Sequence, residues 1–334
     1  MLSVVVPCFN EEDVLPDLLQ HLVPTLDQAT NGAWEIILVD DGSSDSTGEM
    51  IQKAHQRESR VRGVLLSRNI GHQPAIFAGL AYACGRYVGI MDADMQDPPE
   101  ILIQCFRKAI DDGLDLVYAV RKNRRVSLGL KFGYWAFYRV MQFTAEYAWP
   151  LDAGDFSVFN RRVLYLLMDL PEHVRVLRGL RSWVGFRQGC IAYNRPERSK
   201  GSSKYSLLKL TNLAMNALVS FSSLPLRMAS FLGLGMSVLT LLLGVLVLIN
   251  RFFPKFTIFD YYIGANPGTT TIVTLLLVIS SLLFFCLGIL GEYLALLIKE
   301  VKRRPVAIVR QHFGPLRQPL GTGLIMEARN SEDP

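Results

Sequence analysis

The chain has 334 residues, of which 50% are hydrophobic and 19% charged, with 35 Lys and Arg against 30 Asp and Glu for a formal net charge of +5. That length can bury a sizeable core, and this composition excludes a disordered segment, a collagen and a small disulfide scaffold. The five cysteines, Cys8, Cys84, Cys105, Cys190 and Cys286, form no C-x-x-C pair, which argues against a zinc cluster and for a reducing compartment.

Leu2 to Val6 reads as a short strand closed by Pro7 rather than as a charged leader with an apolar run, so no signal peptide is expected. Strands are expected at Ser3–Val6, Glu35–Val39, Val61–Leu66, Tyr87–Met91 and Leu116–Tyr118. Helices are expected from Glu12 to about Leu26, Ser46 to His55, Gln73 to Ala83 and Glu100 to Asp111. Strands alternating with helices predict an α/β domain with a mostly parallel sheet covered on both faces. Ligands of such sheets bind at the carboxyl ends of the strands. The polar motifs fall there: Pro7-Cys8-Phe9-Asn10-Glu11, Asp40-Asp41-Gly42-Ser43, Arg68-Asn69 and Asp92-Ala93-Asp94. No G-x-G-x-x-G follows a strand in this half and no P-loop sequence occurs anywhere, so dinucleotide and P-loop readings both lose.

Two long uncharged stretches follow: Met228–Asn250, and the residues between Asp260 and Glu292, whose apolar part is Thr271–Gly291. A bilayer core needs about 20 apolar residues in a helix, so both read as transmembrane helices. Lys299, Lys302, Arg303, Arg304 and Arg310 after the second stretch predict a cytoplasmic tail, and two spans then put the long amino-terminal part on the same side. The organisation expected is a cytosolic domain over 1–205, a juxtamembrane amphipathic helix over 206–227, spans over 228–250 and 271–298, an outer loop over 251–270 and a basic tail over 299–334. The location expected is the plasma (inner) membrane, and the tail beyond Phe313 is expected to be mobile. Gly233, Gly235 and Ala229, with Gly288 and Gly291, offer small faces for helix packing and hence for a homo-oligomer.

Basic residues cluster from Arg121 to Arg139 and from Arg175 to Lys209, around the aromatic run Phe132–Tyr138. That mixture suits a lipid headgroup layer, mostly as general attraction to anionic lipid. Beside two apolar spans it argues against nucleic acid. His72, beside Gly71 in the S-R-N-I-G-H turn, is placed to approach a ligand, although a loop histidine is more often solvated.

A D-x-D pair alone means little, since 17 Asp in 334 residues predict about 0.9 such pairs by chance. Context gives Asp92 and Asp94 their weight. They end an apolar strand, and with the Gln96 carbonyl they make an all-oxygen site suited to Mg²⁺ or Mn²⁺. The competing reading is a pair of helix-capping aspartates before Pro98-Pro99-Glu100.

The ordered set V-P-C-F-N-E-E, V-D-D-G-S, S-R-N-x-G, D-A-D-M-Q-D-P-P-E and D-A-G-D-F resembles family 2 glycosyltransferases of the GT-A fold. More narrowly it is similar to the polyprenyl-phosphate glycosyltransferases, relatives of dolichyl-phosphate mannose synthase. R-G-L-R-S-W-V-G-F, G-S-S-K-Y, S-F-S-S-L-P-L-R, L-G-E-Y-L and K-R-R-P fit that subgroup, so the likeness spans residues 2 to about 309. It implies a GT-A domain followed by interface helices and two transmembrane helices, often assembled as a tetramer. It implies that Pro7, Phe9, Glu11 and Asp41 line the nucleobase and ribose pocket, with Asp92 at the nucleotide too. Asp92, Asp94 and Gln96 would bind metal and diphosphate, and Arg121, Arg198 and Lys204 would face the acceptor phosphate or donor diphosphate. Asp155 matches an aspartate that sits near the sugar and is proposed as base. The implied reaction moves a sugar from a nucleotide donor, UDP-glucose first, to a polyprenyl phosphate such as undecaprenyl phosphate, with inversion. UDP-linked N-acetylhexosamine, a formamido-arabinose donor and GDP-mannose stay open, because Ser157 and Asn216 depart from the glucosyl-type pattern. A processive polysaccharide synthase is disfavoured by the lack of Q-x-x-R-W. A non-catalytic nucleotide-sugar binder is disfavoured by the complete metal motif.

Overall fold

The computed structural model describes residues 1–122, 153–172, 175–194, 268–302, 304–314 and 325–327, with scattered positions between 231 and 242. The chain divides into two compact units, Met1–Leu210 with Lys302–Pro334, and Thr211–Val301.

The first unit opens with four βα repeats. They are β1 (Leu2–Cys8), α1 (Leu15–Thr30), β2 (Trp34–Asp40), α2 (Thr47–Arg57), β3 (Val61–Leu66), α3 (His72–Ala81), β4 (Tyr87–Ile90) and α4 (Pro99–Asp111). Then come β5 (Leu116–Lys122), β6 (Ala153–Asn160), α5 (Arg161–Asp169), α6 (Leu177–Trp183), β7 (Gln188–Asn194), β8 (Ala307–Phe313) and β9 (Ile325–Glu327). Among the described residues the strands form one sheet in the order β7-β5-β6-β4-β1-β2-β3-β8-β9. The central run β4-β1-β2-β3 is parallel. Strand β6 lies antiparallel between β4 and β5, and β8 antiparallel on β3.

Every residue of β1 and β2 is buried, as expected of parallel strands covered on both faces. Leu15, Leu18, Leu22 and Leu26 of α1 recur at helical spacing and enter the core on one side of the sheet with Leu102 and Phe106 of α4. Ile76, Phe77 and Leu80 of α3 enter the core on the other side, with Val163 and Leu167 of α5 and Leu177 and Leu180 of α6. Pro99 opens α4, where a missing N–H costs nothing. Asn160 caps α5 by accepting from the Val163 N–H at 3.0 Å, a contact that contributes about 1 kcal/mol.

The α/β reading holds, and each of the five expected strands and four expected helices is present within a few residues of its expected bounds. The tail differs. Residues expected only as a basic tail supply β8, with Ala307 and Val309 buried, and β9 lies in the part beyond Phe313 expected to be mobile. The physical cause is period-2 alternation, since Ala307 and Val309 point in while Ile308 and Arg310 are exposed. Phe313 lies opposite Gly63, where any added side chain would collide with its ring at 2.7 Å.

In the second unit, α7 (Gly268–Lys302) contains the second apolar stretch as one helix of 35 residues. Leu276 is 60% and Phe284 70% exposed along it. Taking only the described residues, no helix is long and apolar enough to cross a membrane. The juxtamembrane segment 206–227, most of 228–250 and the aromatic run Phe132–Tyr138 lie outside the described residues.

Candidate active site

The carboxyl ends of the central strands are knitted together by the loops the motifs occupy. Pro7 and Cys8 pair with Val39 and Asp40, and the Asp41 N–H donates to the Cys8 carbonyl at 2.9 Å. Asn10, in the left-handed region at φ 54°, accepts from the Ser44 N–H at 2.9 Å. The Glu11 N–H donates to the Thr47 hydroxyl at 2.9 Å. These bonds hold Phe9, which is exposed, and Glu11, half-buried, on the rim formed by β1 and β2.

Asp41 is buried, and its two oxygens accept the Ile70 and Gly71 N–H groups at 2.8 and 2.9 Å. Burial pushes its carboxyl up, and those two N–H bonds offset part of that. Gly42 lets this loop close, because its φ is +66° and an added Cβ would meet the Arg68 carbonyl carbon at 2.5 Å. The S-R-N-I-G segment is therefore fixed by Asp41, and it delivers His72 and Gln73 to the first turn of α3.

After β4 the chain turns through Met95, at φ 59°, a costly conformation for a non-glycine residue. The turn carries Asp92, Asp94 and Gln96, all half-buried. The Asp94 Oδ1 accepts the Gln96 N–H at 3.2 Å. Beneath them the buried Asp97 accepts from the Tyr193 hydroxyl at 2.8 Å.

Asp155 reaches the same edge from β6. Ile90 pairs with Ser157, so Asp155 lies just past the end of β4, level with Asp92. Its Oδ2 accepts from Gln73 Nε2 at 2.7 Å and from Arg178 Nη2 at 3.2 Å. His72 Nε2 stands 3.7 Å from that oxygen and 3.5 Å from Asp92 Oδ1, so one ring links the two carboxylates. Gln73 is anchored in turn, because its Oε1 accepts the Leu177 N–H at 2.8 Å. Burial alone would push the Asp155 carboxyl up, but Arg178, His72 and Arg181 outweigh it and hold the group well below the usual carboxylate range. Burial also opposes the charged form of His72, and the interactions with Asp155 and Asp92 lift its pKa above the ordinary value.

Arg121, on β5, folds over Gly154: a Cβ there would sit 3.3 Å from Nη2 of the guanidinium. Of the expected site residues, the structure brings Asp92 and Asp155 together through His72, with Asp94 and Gln96 on the same turn. Pro7, Phe9, Glu11 and Asp41 share the neighbouring edge. Arg198 and Lys204 lie outside the described residues.

Sequence reasoning missed Gln73, Arg178 and Arg181, and weighed His72 as able to approach a ligand but more often solvated. His72 is the first residue of α3 and is exposed, with its ring facing Asp92 and Asp155. Arg178 and Arg181 stand three apart on α6, a spacing that puts both on one helix face. General attraction to lipid is also corrected for Arg175 and Arg181, which are 6% and 0% exposed. Arg175 donates to the carbonyls of Leu167, Met168, Leu170 and Glu172, closing the end of α5.

Among the described residues, no three His, Cys, Asp or Glu side chains form a metal cage. Asp92 and Asp94 fit a different arrangement, in which a small hard cation takes one or two carboxylates and completes its shell with substrate phosphate and water. The edge as a whole offers a carboxylate pair for such a cation, a third carboxylate held as an anion, and arginines.

Residues 3–167 match the family Glycosyl transferase family 2. An uncharacterized glycosyltransferase, YkcC of Bacillus subtilis (strain 168), is 37% identical over 93% of this chain and 94% of its own. The bactoprenol glucosyl transferase of Shigella phage SfII is 32% identical over 93% of this chain and 97% of its own. Among solved structures, glucosyl-3-phosphoglycerate synthase from Mycobacterium tuberculosis, in complex with Mn²⁺, UDP and glucosyl-3-phosphoglycerate, is 19% identical, covers 66% of this chain and 77% of its own, and superposes with a TM-score of 0.44. With motifs, sheet and full-length relatives in agreement, the chain belongs to glycosyl transferase family 2, and it is a sugar-transferring enzyme with a GT-A-like, mostly parallel α/β fold.

Proposed function

We propose that the chain transfers a hexose, glucose in the first instance, from a UDP-linked donor to the phosphate of a polyprenyl lipid, inverting the anomeric centre. One observation carries this reading. Asp92 and Asp155 are linked through His72 at the carboxyl edge of the sheet, in a chain 32% identical along 93% of its length to a protein named as a bactoprenol glucosyl transferase. Asp92 and Asp94, with the Gln96 carbonyl, would hold Mg²⁺ or Mn²⁺, which when bound supplies charge neutralisation to the donor diphosphate.

The acceptor phosphate has a second pKa near 6, so at pH 7 it already carries the charge needed for attack. A general base works best with a pKa near the operating pH, and Asp155 is held far below it. Asp155 therefore accepts a hydrogen bond and orients the sugar or phosphate rather than removing a proton. Arg121, Arg178, Arg198 and Lys204 reduce repulsion between two anionic reactants, and catalysis rests on positioning and electrostatics. The two apolar stretches anchor the chain in the inner membrane, with the catalytic unit and both termini cytoplasmic and the small-residue faces packing copies together. The exposure of apolar side chains such as Leu276 and Phe284 along α7 supports contact with the bilayer.

The test is a transfer assay on detergent-purified chain with undecaprenyl phosphate, Mg²⁺ and separate nucleotide sugars, weighing the lipid products. A lipid-phosphate-hexose species from one donor, lost in Asp94→Asn, is expected. Donor binding without any lipid product contradicts the proposal.

A further inference from the structure

Arg181 has no part in the mechanism above, and its surroundings are unusual. It lies on α6 between Leu177 and Leu180, both buried, and Trp183, which is exposed. Its side chain is 0% exposed, yet Nε, Nη1 and Nη2 have no hydrogen-bond partner among the described residues. Its guanidinium carbon stands 4.8 Å from the centre of the Tyr118 ring, so an aromatic face supports the cation from one side. Leu or Met would fill this apolar layer without the penalty of an uncompensated buried charge. Even with burial pulling its pKa down to about 10, Arg181 stays charged at pH 7.

Asp155 shows the complementary feature. Its Oδ2 is bonded by Gln73 and Arg178, whereas Oδ1 is buried without a hydrogen-bond partner among the described residues. Helix α6 packs against β6, which carries Asp155, and Arg181 lies one turn along α6 from Arg178, which bonds that carboxylate, although no hydrogen bond joins Arg181 to it among the described residues.

We propose that Arg181 is a positioning residue: a fixed buried charge that acts through Asp155, keeping it an anion while leaving Oδ1 available to the reacting sugar or phosphate. This deepens the transfer reading above and rests on it for its catalytic consequence. Arg178 grips the carboxylate by direct contact, and Arg181 supplies a second positive charge one helical turn away without occupying either oxygen.

The first test needs no turnover. In full-length protein, thermal midpoints are measured for Arg181→Met, Asp155→Asn and the double variant, a cycle that isolates the pairwise term. Arg181→Met is expected to shift the midpoint less favourably when Asp155 is present than in the Asp155→Asn background, where removing the buried charge is neutral or stabilising. Equal shifts in both backgrounds overturn the coupling.

The second test ranks Arg181→Lys against Arg181→Met in the transfer assay. Lys keeps charge and loses shape, whereas Met keeps the apolar bulk and loses charge. A positioning charge predicts that Lys retains kcat within about 10-fold and that Met loses at least about 30-fold in kcat, with the donor KM little changed. A Met variant equal to or better than Lys overturns the proposal. So does failure of Arg181→Met and Arg181→Gln to fold while Lys folds, since that assigns a structural role. A wild type that makes no lipid product contradicts the transfer reading alone, and the midpoint cycle still decides the role of Arg181.

Discussion

Among the buried arginines of the described residues, Arg62 and Arg181 lie toward opposite ends of the sheet and are treated in opposite ways. Toward the amino ends of the strands, Arg62 donates through Nη1 to Glu35 Oε2 at 2.9 Å and to the Tyr82 carbonyl at 3.0 Å. Glu35 also accepts from the Ser3 hydroxyl and the Cys84 N–H, each at 2.6 Å. The two charges pair directly there, and the network ties β1, β2, β3 and the end of α3 together. Near the carboxyl ends, Arg181 and one oxygen of Asp155 are buried with their hydrogen-bonding capacity unused among the described residues. A buried charge bonded directly to its counter-charge holds a fold, whereas one left without a bonded partner where loops and carboxylates converge is preorganised for a ligand.

Substitutions at the two ends should separate those roles. Glu35→Ala leaves Arg62 without its carboxylate and should cost about 3–5 kcal/mol of stability, read as a lower thermal midpoint. Turnover per folded molecule should stay near wild type at temperatures where the variant is folded. Asp155→Asn should do the reverse, lowering transfer by about 10²–10³-fold at pH 7 with the protein still folded. If Glu35→Ala abolished turnover in folded protein, the contrast between the two ends would fail.

Asp41→Ala sharpens the comparison at an intermediate scale. It frees the Ile70 and Gly71 N–H groups, at a cost of about 1–3 kcal/mol, and loosens the segment that presents His72 and Gln73. Both stability and transfer should fall, with transfer falling further than destabilisation alone explains; an unchanged rate would detach Asp41 from the site. The smallest expected effect is Gly154→Ala. A methyl group 3.3 Å from Arg121 makes the guanidinium give way by a few tenths of an ångström. Transfer should drop about 3–10-fold without loss of stability, a shift of roughly 1 kcal/mol in barrier.

Much of this was legible in the sequence where local pattern and local structure coincide. The four βα repeats announce themselves by apolar period, and the carboxyl-end motifs Pro7–Glu11, Asp40–Ser43 and Asp92–Gln96 are placed by those strands alone. Strands β6 and β7 and helices α5 and α6 were harder, because antiparallel insertion of β6 between β4 and β5 is a tertiary choice. Strand β8 was masked by the basic residues before it, although Ala307-Ile308-Val309-Arg310 carries the alternation of a half-buried strand. The bridge from Asp155 to Gln73 joins residues 82 positions apart, and neither it nor the contacts with Arg178 and His72 follow a sequence period. The i, i+3 pair in R-G-L-R-S-W was the one available hint of the arginines.

The account turns on Asp155 being an anion throughout the working pH range. A depressed carboxylate contributes its full stabilisation above its unfolded pKa of about 4 and loses it only as pH falls toward the lower folded value. Nothing about Asp155 should therefore change between pH 6 and 8. The most direct measurement is the ratio of wild-type to Asp155→Asn turnover across that interval, with saturating donor and acceptor. A ratio that stays within a few-fold is predicted, any drift following the His72 proton that Asp155 helps to hold; a ratio that rises about tenfold per pH unit over any part of the interval would show Asp155 itself titrating there and contradict the account.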